Sequence, residues 1–223
     1  MEKMLNPVVT LASVIEHTLL RPDTSQDEIT QLCKEAIKYK FYAVCVPQYF
    51  VKHAKKTLGK SKVKVVTVVG FPMGYSSING KAEDCKKAIN DKVDEIDMVM
   101  NIAALKSGNE AQVRDDIQSI TTLCRINNIL VKVIIETGLL TDEEIIKACN
   151  ICTVAEVDFV KTSTGFNGPG ASVEKVKMIR EILPASIGIK ASGGINDAET
   201  AMQMMEAGAS RIGTSSGVKL IER

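Results

Sequence analysis

The strict alternation of short β-type runs with helical patterns constrains this chain more than any other feature. Runs rich in Val and Ile recur at 15–20, 42–46, 63–69, 95–99, 131–135, 158–161, 187–190 and 211–213. Helix signals fill the gaps between them. Ser25 to Glu28 reads as a capping box before "ITQLCKEAIKYK", and Ala198, Ala201, Met202 and Met205 share one face after Asn196-Asp197. Strands separated by helices run parallel, because the helix serves as the crossover. Eight such units in 223 residues predict an α/β chain folded as a (β/α)8 TIM barrel, one domain over 1–223, with a doubly wound open sheet as the alternative. No Pro- or Ser-rich linker breaks the pattern.

Composition narrows the class of ligand. Apolar residues make up 45% and charged residues 25%, the balance of a globular chain. Lys plus Arg number 28 against 27 Asp plus Glu, so the net charge of +1 gives no electrostatic reason to expect nucleic acid or an anionic membrane. No apolar run reaches the length of a membrane span. The leader-like start "MEKMLNPVVTLASV" places Glu2 beside Lys3 and is interrupted by Asn6-Pro7, so a cytoplasmic protein is expected. Six cysteines and two histidines do not form a paired zinc framework, and no metal is expected. Cys149 and Cys152 match C-x-x-C, but they fall inside a helix that begins near Thr141 with Glu144 closing a second capping box. Together with Ile145 they form its apolar face and read as core.

A barrel of this kind presents its reactive groups at the C-terminal ends of its strands. Lys161 closes the run "DFVK", where alternation sets it with Phe159 and opposite Asp158 and Val160. A lysine there either emerges into solvent or needs a partner inside. Lys190 closes a second run, "SIGIK", and two amines facing one site disfavour each other's charge, which favours a nucleophilic amine able to form a Schiff base. Asp97 in "EIDMVM" lies on the opposite face from Ile96 and Met98, either as a structural partner of a lysine or as a proton carrier. His17, beside Glu16 and Thr18 on a strand, reads as a packed structural histidine. The next loops suit a phosphate: Gly193-Gly194, then "GTSSG" from Gly213 to Gly217, with Ser215 and Ser216 as hydroxyl donors.

At this point the chain resembles the 2-deoxyribose-5-phosphate aldolase family of class I aldolases. The stretches that carry the resemblance are "IEHTLL", "VCVPQYFV", "VVGFPMG", "EIDMVMNI", "KVIIETGLL", "DFVKTSTGF", "KASGGI" and "GASRIGTSSG". The resemblance implies a Schiff-base nucleophile at Lys161, a proton-handling pair at Asp97 and Lys190, and phosphate contacts at Gly165, Gly193, Gly194, Gly213, Ser215 and Ser216. It also implies a sugar pocket lined by Thr18 and Cys45, no cofactor, a small sugar-phosphate substrate and a homodimer. The implied reaction is reversible cleavage of 2-deoxy-D-ribose 5-phosphate. Three features depart from the family pattern: Glu16 stands where an aspartate is expected, Pro47 falls in "VCVPQ", and "KLIER" stands without the tyrosine-ended tail of some members.

Overall fold

The structure, a computed structural model, describes residues 11–222, so the first ten residues of the leader-like stretch lie outside the described residues. The strands are β1 (Ile15–Thr18), β2 (Ala43–Val46), β3 (Lys64–Val69), β4 (Glu95–Val99), β5 (Leu130–Ile134), β6 (Phe159–Lys161), β7 (Gly188–Ser192) and β8 (Arg211–Thr214). Each pairs in parallel with the next. β8 returns to β1 through Ile15↔Ile212, Glu16↔Gly213 and His17↔Thr214, so the sheet closes into a barrel and the open-sheet alternative is excluded. The helices outside it are α1 (Gln26–Tyr39), α2 (Val51–Leu58), α3 (Ile78–Asn90), α4 (Ile102–Lys106), α5 (Glu110–Ile126), α6 (Asp142–Val154), α7 (Val173–Ile182), α8 (Ala198–Glu206) and α9 (Gly217–Ile221).

Local chemistry sets the helix ends. Both expected capping boxes form, Ser25 with Glu28 on α1 and Thr141 with Glu144 on α6. Four helix-to-strand turns reuse one device. Lys40, Lys92, Asn128 and Glu156 take left-handed backbone angles (φ 57°, 67°, 55° and 53°), and the following N–H bonds back to the last helical turn. Those bonds run from Phe41 to Ala36 O (2.9 Å), Val93 to Ala88 O (3.2 Å), Ile129 to Cys124 O (2.9 Å) and Val157 to Cys152 O (3.3 Å). Two of these turns continue as Val-Asp. Asp94 Oδ2 accepts the Val65 N–H at 2.7 Å and Asp158 Oδ2 accepts the Val131 N–H at 2.8 Å, which fixes where β4 and β6 enter beside β3 and β5.

The strands then sort their side chains by parity. Val44, Val65, Ile96, Met98, Val133, Val160, Ile189 and Ile212 face outward and are buried against Leu32, Cys33, Ile117, Ile120, Val176 and Ile179 of the helices. Each such side chain contributes roughly 1.5–3 kcal/mol by leaving water, so the shell between strands and helices carries the stability. The opposite parity holds Glu16, Asp97, Lys132, Lys161 and Lys190 inside the barrel, all at most 2% exposed. Small residues make room for them: a Cβ on Gly213 would stand 2.9 Å from Lys190 Cε. His17 points outward instead, buried against Phe41 in an edge-on ring contact of 5.3 Å, with Nε2 2.8 Å from Glu35 Oε2. It is the packed histidine that the sequence suggests.

Strand ends differ from the periodicity by a residue or two, within the ordinary scatter of strand boundaries. One shift matters. β7 runs past Lys190 to Ser192 before Gly193 takes φ 88° and breaks the ladder. Lys190 therefore lies one pleat below the rim rather than at the end of its strand.

A second buried ion pair lies outside the barrel. Lys81 Nζ on α3 donates to Asp116 Oδ2 on α5 (2.5 Å) and to Val99 O at the end of β4 (2.8 Å). Its stem covers Gly70, whose φ is 64° and where a Cβ would meet Lys81 Cε at 2.7 Å. Burial depresses the lysine and raises the carboxyl. Lys81→Met leaves Asp116 a buried, unpaired acid and is expected to lower the unfolding free energy by about 3–5 kcal/mol near neutral pH. The deficit shrinks as the pH falls through the raised range of Asp116 and the carboxyl becomes neutral. Lys81→Met with Asp116→Leu recovers most of the loss in denaturant titrations. A double variant as unstable as the single one would contradict this.

Candidate functional site

A cavity of about 300 Å³ opens at the C-terminal ends of β1, β6, β7 and β8. Lys161 is the only amine on its wall among the described residues. Of the residues singled out from the sequence, Thr18, Lys161, Gly165, Gly193, Gly194, Gly213 and Ser215 line this cavity together. Gly165, Gly193 and Gly194 all have positive φ (82°, 88° and 78°), conformations that side-chain-bearing residues rarely adopt. Gly193 also packs on Gly170: a Cβ on Gly170 would stand 2.2 Å from Gly193 O.

Asp97 and Lys190 lie directly beneath. Asp97 Oδ2 accepts from Lys161 Nζ at 3.0 Å and from Lys190 Nζ at 2.6 Å, and Oδ1 accepts from Lys132 Nζ at 3.0 Å. β6 and β7 pair Lys161 with Lys190 in register, which places the two amines side by side. Glu16 Oε2 accepts a hydrogen bond from Lys190, and Oε1 stands 3.5 Å from Lys132 Nζ. The longer Glu16 side chain thus reaches the amine next to it. Lys132 also pairs with Glu95 Oε2 at 2.5 Å. Three ammonium groups and three carboxylates of one buried cluster therefore balance.

The electrostatics follow from that count. Burial alone would raise Asp97, but the ammoniums of Lys132, Lys161 and Lys190 outweigh it and hold the carboxyl well below its ordinary range. Burial alone would depress Lys190, yet Asp97 and Glu16 outweigh it and leave the amine above the ordinary lysine range. The mutual depression expected for two facing lysines is therefore overridden at Lys190. Lys132 is likewise raised well above its ordinary value, by Asp97, Glu16 and Glu95 against its burial. Lys161 differs in its contacts: its one carboxylate oxygen is shared with Lys190.

Two expected residues are not on the cavity wall itself. Cys45 is fully buried inside the barrel, packed with Ala43 and Val66, and burial pushes its thiol up to about 11. Ser216 stands behind the cavity wall; its Oγ donates to Asn196 Oδ1 at 3.3 Å and its N–H donates to Thr214 Oγ1 at 2.9 Å, both residues of that wall. Cys149 and Cys152 are buried and free, as their helix position implies, with Cys149 pushed up to about 12. Among the described residues, no group of three His, Cys, Asp or Glu side chains is arranged to hold a metal ion.

Lys132, Glu95 and Glu136 were not anticipated from the sequence. Lys132 carried a usable signal, a lysine between Val131 and Val133 on a strand, as Asp97 is an aspartate between Ile96 and Met98. Glu136 carried none, because its role depends on a turn. It follows β5 with φ 57°, is fully buried, and accepts the Thr164 N–H at 3.1 Å and the Thr164 hydroxyl at 2.5 Å. Burial raises its carboxyl above the usual range. Next to it, Asn167 Nδ2 donates to Pro72 O at 2.9 Å, and Phe166 meets Phe71 edge-on at 5.2 Å. The loop after β6, which supplies Thr164 and Gly165 to the cavity, is thereby tied to the loops after β5 and β3.

Comparison with known proteins shows what the chain as a whole is similar to. A family model described as DeoC/LacD family aldolase matches residues 14–222. A deoxyribose-phosphate aldolase of Brevibacillus brevis is 49% identical over 93% of this chain and 93% of its own length. One from Thermococcus gammatolerans is 49% identical over 95% of both. A tetrameric deoxyribose phosphate aldolase from Aeropyrum pernix superposes with a TM-score of 0.88 at 30% identity, covering 96% of this chain and 90% of that one.

Glu136→Ala leaves the Thr164 N–H without its acceptor, an expected cost of about 1–3 kcal/mol. Hydrogen exchange at Thr164 and Phe166 should accelerate more than in the barrel strands, while Glu136→Gln, which keeps an acceptor oxygen, retains most of the protection. Unchanged exchange at Thr164 in the alanine variant would contradict the role given to Glu136.

Proposed function

Because the chain belongs to the DeoC/LacD family of aldolases, we propose that it reversibly cleaves 2-deoxy-D-ribose 5-phosphate to D-glyceraldehyde 3-phosphate and acetaldehyde through a Schiff base on Lys161. The observation that carries the reading is the position of Lys161, among the described residues the one amine that both lines the cavity and touches the buried charge cluster. Lys190 and Lys132 are sealed beneath it, each held by two or more carboxylates.

In the cleavage direction, Lys161 Nζ must surrender a proton before it attacks C1 of the open-chain sugar. Asp97 Oδ2, 3.0 Å away, is placed to take it; the Lys190 ammonium on the same oxygen can protonate the departing hydroxyl as the carbinolamine loses water, and the proton held by Asp97 then passes to Lys190, leaving Asp97 a carboxylate again. The iminium has the single positive charge of the ammonium it replaces, so Asp97 keeps a cation beside it through the covalent stage. A base then removes the proton of the C3 hydroxyl, the C2–C3 bond breaks, and its electron pair passes into the iminium. D-glyceraldehyde 3-phosphate leaves an enamine on Lys161. Protonation of the enamine carbon and addition of water release acetaldehyde, returning the water lost earlier and restoring the amine.

The glycine turns at 193–194 and Ser215 hold the phosphate at the far end of the chain, and this remote binding sets the distance from phosphate to C1. The role in deoxyribose phosphate catabolism, the cytoplasmic location and the homodimer expected from the sequence belong to the same reading. The tetramer of the Aeropyrum pernix relative supports self-association in general.

Lys161→Arg keeps a cation beside Asp97 but cannot form an iminium, because the guanidinium stays protonated. Release of D-glyceraldehyde 3-phosphate from the substrate should fall by roughly a thousandfold or more, with circular dichroism and melting temperature little changed. A folded variant that retains substantial turnover would exclude Lys161 as the nucleophile.

A further inference from the structure

We infer that Arg21 is the counter-charge for the substrate phosphate and that it sets the preference for a phosphorylated over an unphosphorylated sugar; the inference rests on the function proposed above. Lys161 and Arg21 are the only ionisable side chains on the cavity wall among the described residues. Lys161 is committed to the carbonyl end. A phosphate monoester near neutral pH carries about −1.5 to −2 charge. The turns at Gly193-Gly194 and the Ser215 hydroxyl offer hydrogen bonds to it but no full positive charge.

Topology brings the arginine to the right side. β1 and β8 are neighbours through His17↔Thr214, so the loop that carries Arg21 after β1 runs beside the loop that carries Ser215 after β8. Local contacts hold the guanidinium ready. Nη2 donates to Glu28, and Nε stands 3.7 Å from Asp23 Oδ1. Glu28 is itself fixed by the capping box, its Oε2 accepting the Ser25 N–H at 2.8 Å. Nη1 has no hydrogen bond among the described residues, and the side chain is 53% exposed, so the fork can engage a phosphate without leaving Glu28. On the facing loop, Phe166 contributes bulk but no charge.

Steady-state kinetics of wild type and Arg21→Gln on 2-deoxyribose 5-phosphate and on 2-deoxyribose test the assignment. KM for the phosphorylated sugar is expected to rise about tenfold or more with little change in kcat, while kcat/KM for the unphosphorylated sugar stays the same. Arg21→Lys should restore part of the loss. Calorimetric titration with inorganic phosphate gives a readout that needs no turnover, and Arg21→Gln should weaken binding by a similar factor. Equal discrimination between the sugars and equal phosphate affinity in the two proteins would overturn the inference. Failure of the functional reading looks different: wild type would turn over neither sugar, while the phosphate titration would still report on Arg21.

Discussion

The carboxylate of Asp97 is the interaction on which the interior of this barrel depends. Inside a fully buried layer it receives Lys132, Lys161 and Lys190 at 3.0, 3.0 and 2.6 Å. An ammonium removed from water costs several kcal/mol unless a partner meets it, and three together would repel one another. Asp97 alone cannot balance them. Glu16 on β1 and Glu95 at the start of β4 supply the remaining negative charge, so the cluster is neutral as a whole but uneven in its contacts. That unevenness separates the lysines. Lys132 and Lys190 rest as cations, each held by two or more carboxylates, and Lys161, with one shared oxygen, faces the cavity.

Such an interior is possible because stability is carried elsewhere. The outward strand residues and the helices form a continuous apolar shell, and the Lys81–Asp116 pair and the left-handed helix ends pin elements from outside the barrel. With the shell holding the strands, the barrel interior can be given to charge. The same strand register that closes the sheet also sets Lys161 beside Lys190.

Much of this was legible in the sequence for a physical reason: alternation within a strand is local. The pattern in "DFVK" and "EIDMVM" fixes which face Lys161 and Asp97 take, and the spacing of eight runs fixes the barrel that gathers them. The pairing of a lysine with a particular carboxylate is not local. Lys190 and Glu16 are 174 residues apart and meet because β8, which carries Gly213 between them, leaves room for the lysine stem. Lys132 had the same local signature as Asp97, but its part in the cluster depends on Glu95 and Glu16 as much as on its own strand. Loop residues were least legible. Gly193 and Gly194 announced a tight turn, whereas the aim of Ser216 and the grip of Glu136 on Thr164 are decided by backbone angles that no short motif specifies.

The most direct test of the account is borohydride reduction of the protein in the presence of 2-deoxyribose 5-phosphate, followed by peptide mass mapping. The account predicts a reduced adduct confined to the peptide that contains Lys161. An adduct on Lys190 or Lys132, or none while phosphate binding is retained, would contradict it.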